Sequence, residues 1–170
     1  MDSIVIRSGE SADVDLILGF FDEAIEWLVA RGSSGQWGTE PASADPKRVA
    51  YVTGLAADPG LRIAEIGGEP AGALVVAEER GRNIPEVDER ELYIRLLITS
   101  RRFLGKGIGG RLIEYAFDEA RRRGIDLVRV DCWAGGDGEL QRYYEGQGFK
   151  PTVRFDVDGW IGQVFEYRVG

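Results

Sequence analysis

Residues 104–110 form the segment whose composition points most directly to chemistry. In order they are Leu104, Gly105, Lys106, Gly107, Ile108, Gly109 and Gly110. The segment follows a predicted strand and opens a predicted helix. Glycines let the backbone approach a ligand closely, and the unpaired N–H groups of a first helical turn, together with the helix dipole, favour an anion. Because Lys106 and Arg111 add positive charge, we predict a phosphate site, best suited to a pyrophosphate.

Two other glycine-rich phosphate motifs do not match this segment. A P-loop requires Gly-Lys-Ser or Gly-Lys-Thr after its glycines, whereas Lys106 is followed by Gly107. A dinucleotide-binding turn follows the first strand of its domain, whereas this turn follows the fourth predicted strand. The remaining alternative is a tight turn in which the glycines serve only the chain geometry.

The absence of histidine limits the proton chemistry that this chain can perform. It excludes Ser-His-Asp and Cys-His catalysis and nearly all common zinc sites, so we predict no metal site. Proton transfer must rely on carboxylates, tyrosine, cysteine, lysine or water. Cys132 is the single cysteine and cannot form an internal disulfide. It follows the apolar residues Val128 and Val130, so we interpret it as a buried thiol rather than a nucleophile.

The fourth predicted strand carries polar residues at alternating positions. Glu91, Tyr93 and Arg95 share one face of this strand, opposite three apolar residues. A central strand of a helix-covered sheet is normally apolar on both faces, so the polar face predicts a cleft. Glu91 is the candidate general base or amine anchor. Two alternatives stay open, namely a solvated strand start and a water relay from a surface acid.

Trp37 lies in a turn-rich segment between the first two predicted helices. An exposed indole at this position would cover a cationic amine through a cation–π contact. The alternative is an indole that fills the edge of the core. Together with Tyr93 and Arg95, Trp37 is a candidate acceptor-binding residue.

The periodicity of the chain predicts the elements that hold these residues. The predicted order is β-α-α-β-β-β-α-β-α-β-β, which one mixed, mostly antiparallel sheet with helices on both faces accounts for. The segment from Glu91 to Cys132 forms its central parallel strand-helix-strand unit. We expect Ser11 to cap the first helix, Asp45 and Pro46 to open the second, and Gly124 to end the third. A length of 170 residues indicates one α/β domain spanning 1–170.

The composition narrows the class of partner. A formal charge of −8 disfavours nucleic acid and anionic lipid. The sequence contains no apolar stretch of the length that crosses a membrane and no pattern typical of a signal peptide. We therefore expect a cytoplasmic protein without a membrane partner, and whether it forms a homodimer is left open.

Two motifs resemble those of the GNAT superfamily of N-acetyltransferases. The stretch from Arg102 to Leu112 resembles motif A of the family, although Leu104 stands where the family usually has Gln or Arg. The stretch from Tyr143 to Phe149 is similar to the family signature Tyr-Glu-x-x-Gly-Phe. With the matching element order, the resemblance covers most of the chain.

The resemblance implies acetyl-CoA as a co-substrate, with its pyrophosphate at residues 104–111. It implies that the fourth strand splays from the fifth and that the backbone of Leu97, Ile98 and Thr99 pairs with the acyl-pantetheine. Asp137, where the family often has Asn, and Leu140 would lie beside the pantetheine arm. Tyr144 stands at the position of the general acid, and a core tyrosine is its alternative role.

The sequence thus predicts an N-acetyltransferase that moves an acetyl group to the primary amine of a small, cationic acceptor by direct attack. The acceptor alternatives are a protein N-terminus or a lysine. An acyl-CoA-binding sensor without catalysis and a protein-interaction domain are the alternatives from other functional classes.

Overall fold

A computed structural model of the chain describes residues 3–170. Within these residues, the chain forms seven strands and four α-helices. The strands are β1 (Ile4–Ser8), β2 (Leu61–Ile66), β3 (Glu69–Ala77), β4 (Glu91–Thr99), β5 (Leu127–Trp133), β6 (Lys150–Val157) and β7 (Trp160–Arg168). The helices are α1 (Val14–Ala30), α2 (Pro46–Ala56), α3 (Ile108–Arg122) and α4 (Glu139–Gly146). None of these helices, taken over the described residues, is long and apolar enough to cross a membrane.

The strands form one open mixed sheet in the order β1-β2-β3-β4-β5-β7-β6. β4 and β5 run parallel, and the neighbouring pairs β1–β2, β2–β3, β5–β7 and β6–β7 run antiparallel. The parallel pair is joined through α3, as a strand-helix-strand crossover requires. The predicted element order and mixed sheet are confirmed.

Local sequence signals account for most of the element boundaries. Asp45 caps α2 by accepting a hydrogen bond from the backbone N–H of Lys47 at 3.0 Å, with Pro46 in the first turn. Gly124 ends α3 at a φ of 68°. The expectation for Ser11 was wrong. It lies inside a short 3₁₀ turn that precedes α1, and a capping box between Glu10 and Asp13 starts that turn.

β2 and β3 form a hairpin with a two-residue turn. Gly67 and Gly68 alone form the turn, at φ values of 59° and 80°, which only glycine adopts without strain. A two-residue turn with both φ angles positive matches the right-handed twist of the strands that it joins. Glu69 and Pro70 therefore belong to β3.

The chain divides into two compact units, and each consists of two segments. The first unit comprises the residues through Val76 together with Leu96–Ile113, and the second comprises Ala77–Arg95 together with Glu114–Gly170. β4 and α3 each contribute residues to both units, so neither unit is one continuous stretch of chain. The expected single domain over 1–170 stays a prediction.

The first unit has a core of aliphatic and aromatic side chains. α1 contributes Ile17, Phe20 and Phe21, and these pack with apolar residues of α2, β2 and β3. Leu96 and Ile98, from the second half of β4, belong to the same cluster. This packing fixes the end of β4 that leads into the glycine-rich segment.

The second unit is stabilised by strand ladders and by stacked rings. β7 pairs with β5 along its length and with β6 on its other side. Phe117 of α3 stacks on Tyr167 of β7, with ring centroids 4.0 Å apart. Phe149 contacts both of these rings. These contacts hold α3 and α4 against β7 and thereby position Tyr144.

Candidate active site

The glycine-rich segment forms a turn with two positive φ angles in front of a 15-residue helix. Gly105 and Gly107 adopt φ values of 80° and 77°, a region that disfavours other residues. A Cβ added at either glycine would meet no atom within 4 Å, so backbone conformation rather than crowding requires glycine here. The backbone N–H of Arg111 donates to the Gly107 carbonyl oxygen at 3.0 Å, which closes the first turn of α3. The backbone N–H groups of residues 108–110 have no acceptor inside the helix and can receive an anion.

The side chains of this segment leave its backbone accessible. Leu104 is 67% exposed, and the exposed residues continue through Gly107. Lys106 is exposed, and Arg111 is half-buried one turn into the helix. The segment therefore offers an accessible backbone with two cationic side chains beside it.

A short 3₁₀ turn over Arg101–Phe103 links β4 to the glycine-rich segment and is anchored to α1. Glu23 accepts hydrogen bonds from the Ser100 hydroxyl and from the Arg101 backbone N–H, each at 3.0 Å. The Arg101 guanidinium also lies 3.6 Å from the centre of the Trp27 ring. These contacts hold the entry to the turn in place, so α1 positions the candidate phosphate site.

The parallel ladder between β4 and β5 is short. It joins Glu91 to Leu127, Leu92 to Val128 and Tyr93 to Arg129, and no further β5 partner is found for β4 within the second unit. β4 continues through Thr99, and β5 continues through Trp133. Residues 97–99 follow the paired residues, in the second half of β4. Leu97 and Thr99 are half-buried there, and Ile98 is buried in the first core.

Tyr144 lies on the buried side of α4 and is 6% exposed. Its ring contacts Tyr143, Phe149 and Phe165, with centroid distances between 5.3 and 5.8 Å. Burial, supported by the proximity of Cys132 and Tyr143, raises the pKa of the Tyr144 phenol above its usual range. The phenol therefore keeps its proton at neutral and at moderately alkaline pH.

Asp137 and Leu140 lie at the start of α4. Asp137 is exposed, accepts a hydrogen bond from the Glu139 backbone N–H at 3.0 Å and lies 3.9 Å from the Arg142 guanidinium. Leu140 is half-buried, one turn before Tyr144. The Asp137 carboxylate thus helps to start the helix.

Glu91 forms a buried ion pair rather than a free carboxylate. Arg129 of β5 donates to both Glu91 oxygens at 2.9 to 3.2 Å, and the two side chains are 8% and 4% exposed. Arg129 also donates to the Pro85 carbonyl oxygen at 2.9 Å. The role of Glu91 as a base stays a prediction, and this geometry gives it no support.

Tyr93 and Arg95 differ in exposure. Tyr93 is 1% exposed, and its hydroxyl donates to Asp131 Oδ1 at 2.5 Å. Burial, with the nearby Asp131 charge, raises the pKa of the Tyr93 phenol. Burial also raises the pKa of the Asp131 carboxyl, against the opposing effects of the Tyr93 hydrogen bond and the Arg129 charge. Arg95 is half-buried further along β4.

Cys132 is buried and free. Burial, with the neighbouring Asp131 charge, raises the pKa of its thiol to about 12. Because the thiolate is the nucleophile, this environment disfavours nucleophilic chemistry. Across the described residues, no group of three potential ligands could hold a metal ion.

Trp37 is half-buried and packs against the core of the first unit. Its ring meets Phe21 of α1 edge-on, with centroids 5.1 Å apart. This contact agrees with the interpretation of Trp37 as a residue that fills the edge of the core. Its role in acceptor binding stays a prediction.

Arg129 and Asp131 are candidate site residues that the sequence analysis missed. They stand two positions apart on β5, between the apolar residues Val128, Val130 and Cys132. Two charged residues on one face of an otherwise apolar strand signal a polar cluster, as the alternation on β4 does. That signal was present in the sequence.

The comparison with protein families agrees with the motifs. Residues 21–149 match the model described as the acetyltransferase (GNAT) family. The chain is also 28% identical over 167 residues to an uncharacterized N-acetyltransferase, YesJ, of Bacillus subtilis (strain 168). That alignment covers 92% of this chain and 86% of the Bacillus protein.

Solved structures share the fold at low sequence identity. A GNAT-family acetyltransferase from Listeria monocytogenes aligns with a TM-score of 0.73 at 18% identity, covering 97% of this chain and 94% of the other. The structure of yncA, a putative acetyltransferase from Salmonella typhimurium with its cofactor acetyl-CoA, aligns with a TM-score of 0.63 at 19% identity, covering 98% and 94%. Similarity at this level shows the fold alone.

Proposed function

Because this chain belongs to the acetyltransferase (GNAT) family, we propose that it transfers an acetyl group from acetyl-CoA to the primary amine of a small, cationic acceptor. The observation that carries the proposal is the turn at residues 104–110. Two glycines with positive φ open a 15-residue helix there, and the surrounding backbone is exposed. The low count of basic residues, 21 against 29 acidic ones, favours a cationic acceptor over an anionic one.

In this proposal, the start of α3 binds the pyrophosphate of the coenzyme. The N–H groups of Ile108, Gly109 and Gly110 donate to its oxygens, and the helix dipole stabilises its charge. Lys106 and Arg111 supply mobile positive charge beside it. The exposed backbone at Gly105 and Gly107 allows the phosphates to approach.

The second half of β4 receives the acyl-pantetheine. In this proposal, the backbone groups of Leu97, Ile98 and Thr99 pair with the extended ligand, as an unpaired strand edge pairs with a peptide. One N–H of this edge stabilises the negative charge that develops on the thioester oxygen during attack. Asp137 and Leu140 at the start of α4 flank the pantetheine arm.

Tyr144 donates a proton to the departing thiolate. Its raised pKa keeps the phenol protonated over the working pH range, and the proton is released only to a basic partner. The ring contacts with Phe149 and Phe165 fix the direction of the hydroxyl. Glu91, which Arg129 already engages, has the supporting role of holding that guanidinium in the sheet.

On the acceptor side, we propose that Tyr93 acts through Asp131 and that Arg95 and Trp37 border the acceptor. The single buried thiol and the acidic composition fit a cytoplasmic enzyme.

The test is a thiol-release assay with acetyl-CoA and a panel of primary amines, N-terminal peptides and lysine peptides. Acetyl-CoA-dependent thiol release with small cationic amines supports the proposal. Release only with peptides would identify a protein N-terminus or a lysine as the acceptor instead. Binding of coenzyme A without release in any reaction would identify a sensor. A protein-interaction domain would gain no thermal protection from coenzyme A, whereas a ligand at 100 times its Kd adds about 2.7 kcal/mol.

A further inference from the structure

We propose that Asp131 receives the ammonium group of the acceptor and takes its proton before attack, and that the acceptor is a primary amine with an apolar body. This inference rests on the proposed function and identifies the residue that selects and activates its amine. It depends on a cluster of residues that lies entirely within the second unit.

Three members of this cluster are buried and contact one another. Arg129 and Glu91 are both buried and form an ion pair. Tyr93 is 1% exposed and lies under the Arg129 guanidinium, which is 5.5 Å from its ring centre. The Glu91–Arg129 pair is therefore neutral as a unit and closed to a ligand.

Asp131 is the exception in this cluster. It accepts from Tyr93 through Oδ1, and no ion pair or second hydrogen bond of its carboxylate is found in residues 3–170. Its exposure is intermediate, so a ligand can reach it. A carboxylate with one oxygen fixed and the other free is suited to accept from a cationic N–H donor.

Apolar side chains border Asp131 on the side of β7, and they define the rest of the acceptor. Val164 of β7 stands directly opposite Asp131 in the β5–β7 ladder. Val164, Tyr93 and Ile84 form one cluster, and Phe155 packs against it. The Phe155 ring occupies the space above Gly162, where any side chain would overlap it. An amine bound here would place its carbon skeleton against these groups.

Asp131 and Tyr144 act from opposite faces of the sheet. Asp131 shares its face with Val164, and Tyr144 packs against Phe165, the next residue of β7. Successive residues of a strand point to opposite faces. The proton acceptor for the amine is thus kept apart from the proton donor for the thiolate, so the two groups cannot neutralise each other directly.

The proton balance of the step is complete. The bound ammonium gives one proton to Asp131 Oδ2, and the neutral nitrogen forms a bond to the carbonyl carbon of the thioester. As the C–S bond breaks, the nitrogen loses its second proton to water and the thiolate receives one from Tyr144. Asp131 then gives its proton to solvent, and Tyr144 takes a proton from solvent. Two protons thus enter the solvent and one leaves it, so that one proton is released in each turnover.

The decisive variant is Asp131→Asn, which keeps the size of the side chain and an oxygen that can accept from Tyr93. We expect kcat/KM for the best cationic amine to fall by about 100-fold or more, as for loss of a positioned base. Calorimetric affinity for coenzyme A stays within twofold. The matched control is Asp118→Asn, which removes one carboxylate from an exposed ion pair on α3. This control keeps wild-type turnover, because surface ion pairs contribute little.

Tyr93→Phe separates proton transfer from a structural role. The hydrogen bond from Tyr93 lowers the pKa of Asp131, so its removal raises that pKa and moves the acidic limb of kcat/KM to higher pH. The other groups around Asp131, namely Arg129, Glu91, Cys132 and Tyr144, are unchanged, and so is the titration of the amine itself. A purely structural Tyr93–Asp131 pair would lower stability without moving that limb.

The outcomes distinguish this inference from the proposed function. An active wild-type protein whose Asp131→Asn variant has unchanged kcat/KM and pH profile overturns the inference alone. Equal kcat/KM for linear polyamines and for apolar monoamines overturns the assigned acceptor class. If the wild-type protein releases no thiol with any amine, the proposed function fails. Calorimetric binding of an apolar monoamine to wild type and to Asp131→Asn then tests the amine site alone, and equal affinities overturn it.

Discussion

The candidate coenzyme site can be tested by introducing a carboxylate at Gly107 without disrupting the fold. Gly107 has a φ of 77°, and a Cβ added there meets no atom within 4 Å. Asp tolerates positive φ better than most residues, and the left-handed conformation costs about 1–2 kcal/mol. An acidic cap at a helix N-terminus restores about 1 kcal/mol. We therefore expect Gly107→Asp to fold with a Tm within a few degrees of wild type.

The loss of coenzyme affinity follows from Coulomb repulsion. A carboxylate about 5 Å from one phosphate charge costs about 3 kcal/mol at an effective dielectric constant of 20, and about 1 kcal/mol in water. The exposed turn lies between these limits, so Kd rises by about 5- to 150-fold for each phosphate charge that the carboxylate faces. The new carboxylate also accepts from the N–H groups that would bind the pyrophosphate, which adds to the loss.

The assay is calorimetric titration with coenzyme A at low and at moderate salt. The matched control is Gly124→Asp at the other end of α3, where φ is 68° and a Cβ again meets no atom within 4 Å. This variant has the same added charge and a similar backbone cost, and its coenzyme affinity stays near wild type. A folded Gly107→Asp protein with a Kd within twofold of wild type would refute the assignment of the site.

Three further variants or modifications test the remaining assignments. Tyr144→Phe should lower turnover roughly 10- to 1,000-fold, or about 1.4 to 4 kcal/mol in the barrier, with unchanged coenzyme affinity. Full activity in the thiol-release assay would mean that solvent protonates the thiolate. A pKa of about 12 against 9.0 for an ordinary thiol predicts about 10³-fold slower alkylation of Cys132 at pH 8 in the folded than in the unfolded protein. Equal alkylation rates in the folded and the unfolded protein would mean that the thiol is exposed. The raised pKa of Cys132 also contributes to the stability of the fold. This contribution is fully present below about pH 9 and is lost as pH rises towards 12. Glu91→Gln should leave Arg129 charged, buried and without its carboxylate, lowering the free energy of unfolding by about 3–5 kcal/mol and Tm by roughly 6–20 °C. A normal melting curve with about 100-fold slower turnover would instead identify Glu91 as the base.

The order of the elements and the position of the glycine-rich turn follow from the amino-acid sequence alone. These features depend on hydrophobic period and on interactions between residues close in the chain. Asp45 with Pro46 opens α2 through a hydrogen bond two residues away. Gly124 ends α3 because its own φ permits the turn. Such signals are complete within a few residues, so the sequence was sufficient to predict them.

The partner of each charged group depends on contacts between distant residues, which form only in the folded sheet. Glu91, Tyr93 and Arg95 look equivalent in the sequence, as polar residues that alternate along one strand. In the sheet, Arg129 forms an ion pair with Glu91, and the Tyr93 hydroxyl donates a hydrogen bond to Asp131. Each of these contacts joins residues 38 positions apart. Hydrophobic alternation fixes the face on which a side chain lies, but strand register decides which charges meet on that face. The Glu91 carboxylate meets a cation in a buried pair and therefore has a structural role. The Asp131 carboxylate accepts from a neutral hydroxyl instead, which is why we propose it as the residue that binds the cationic amine.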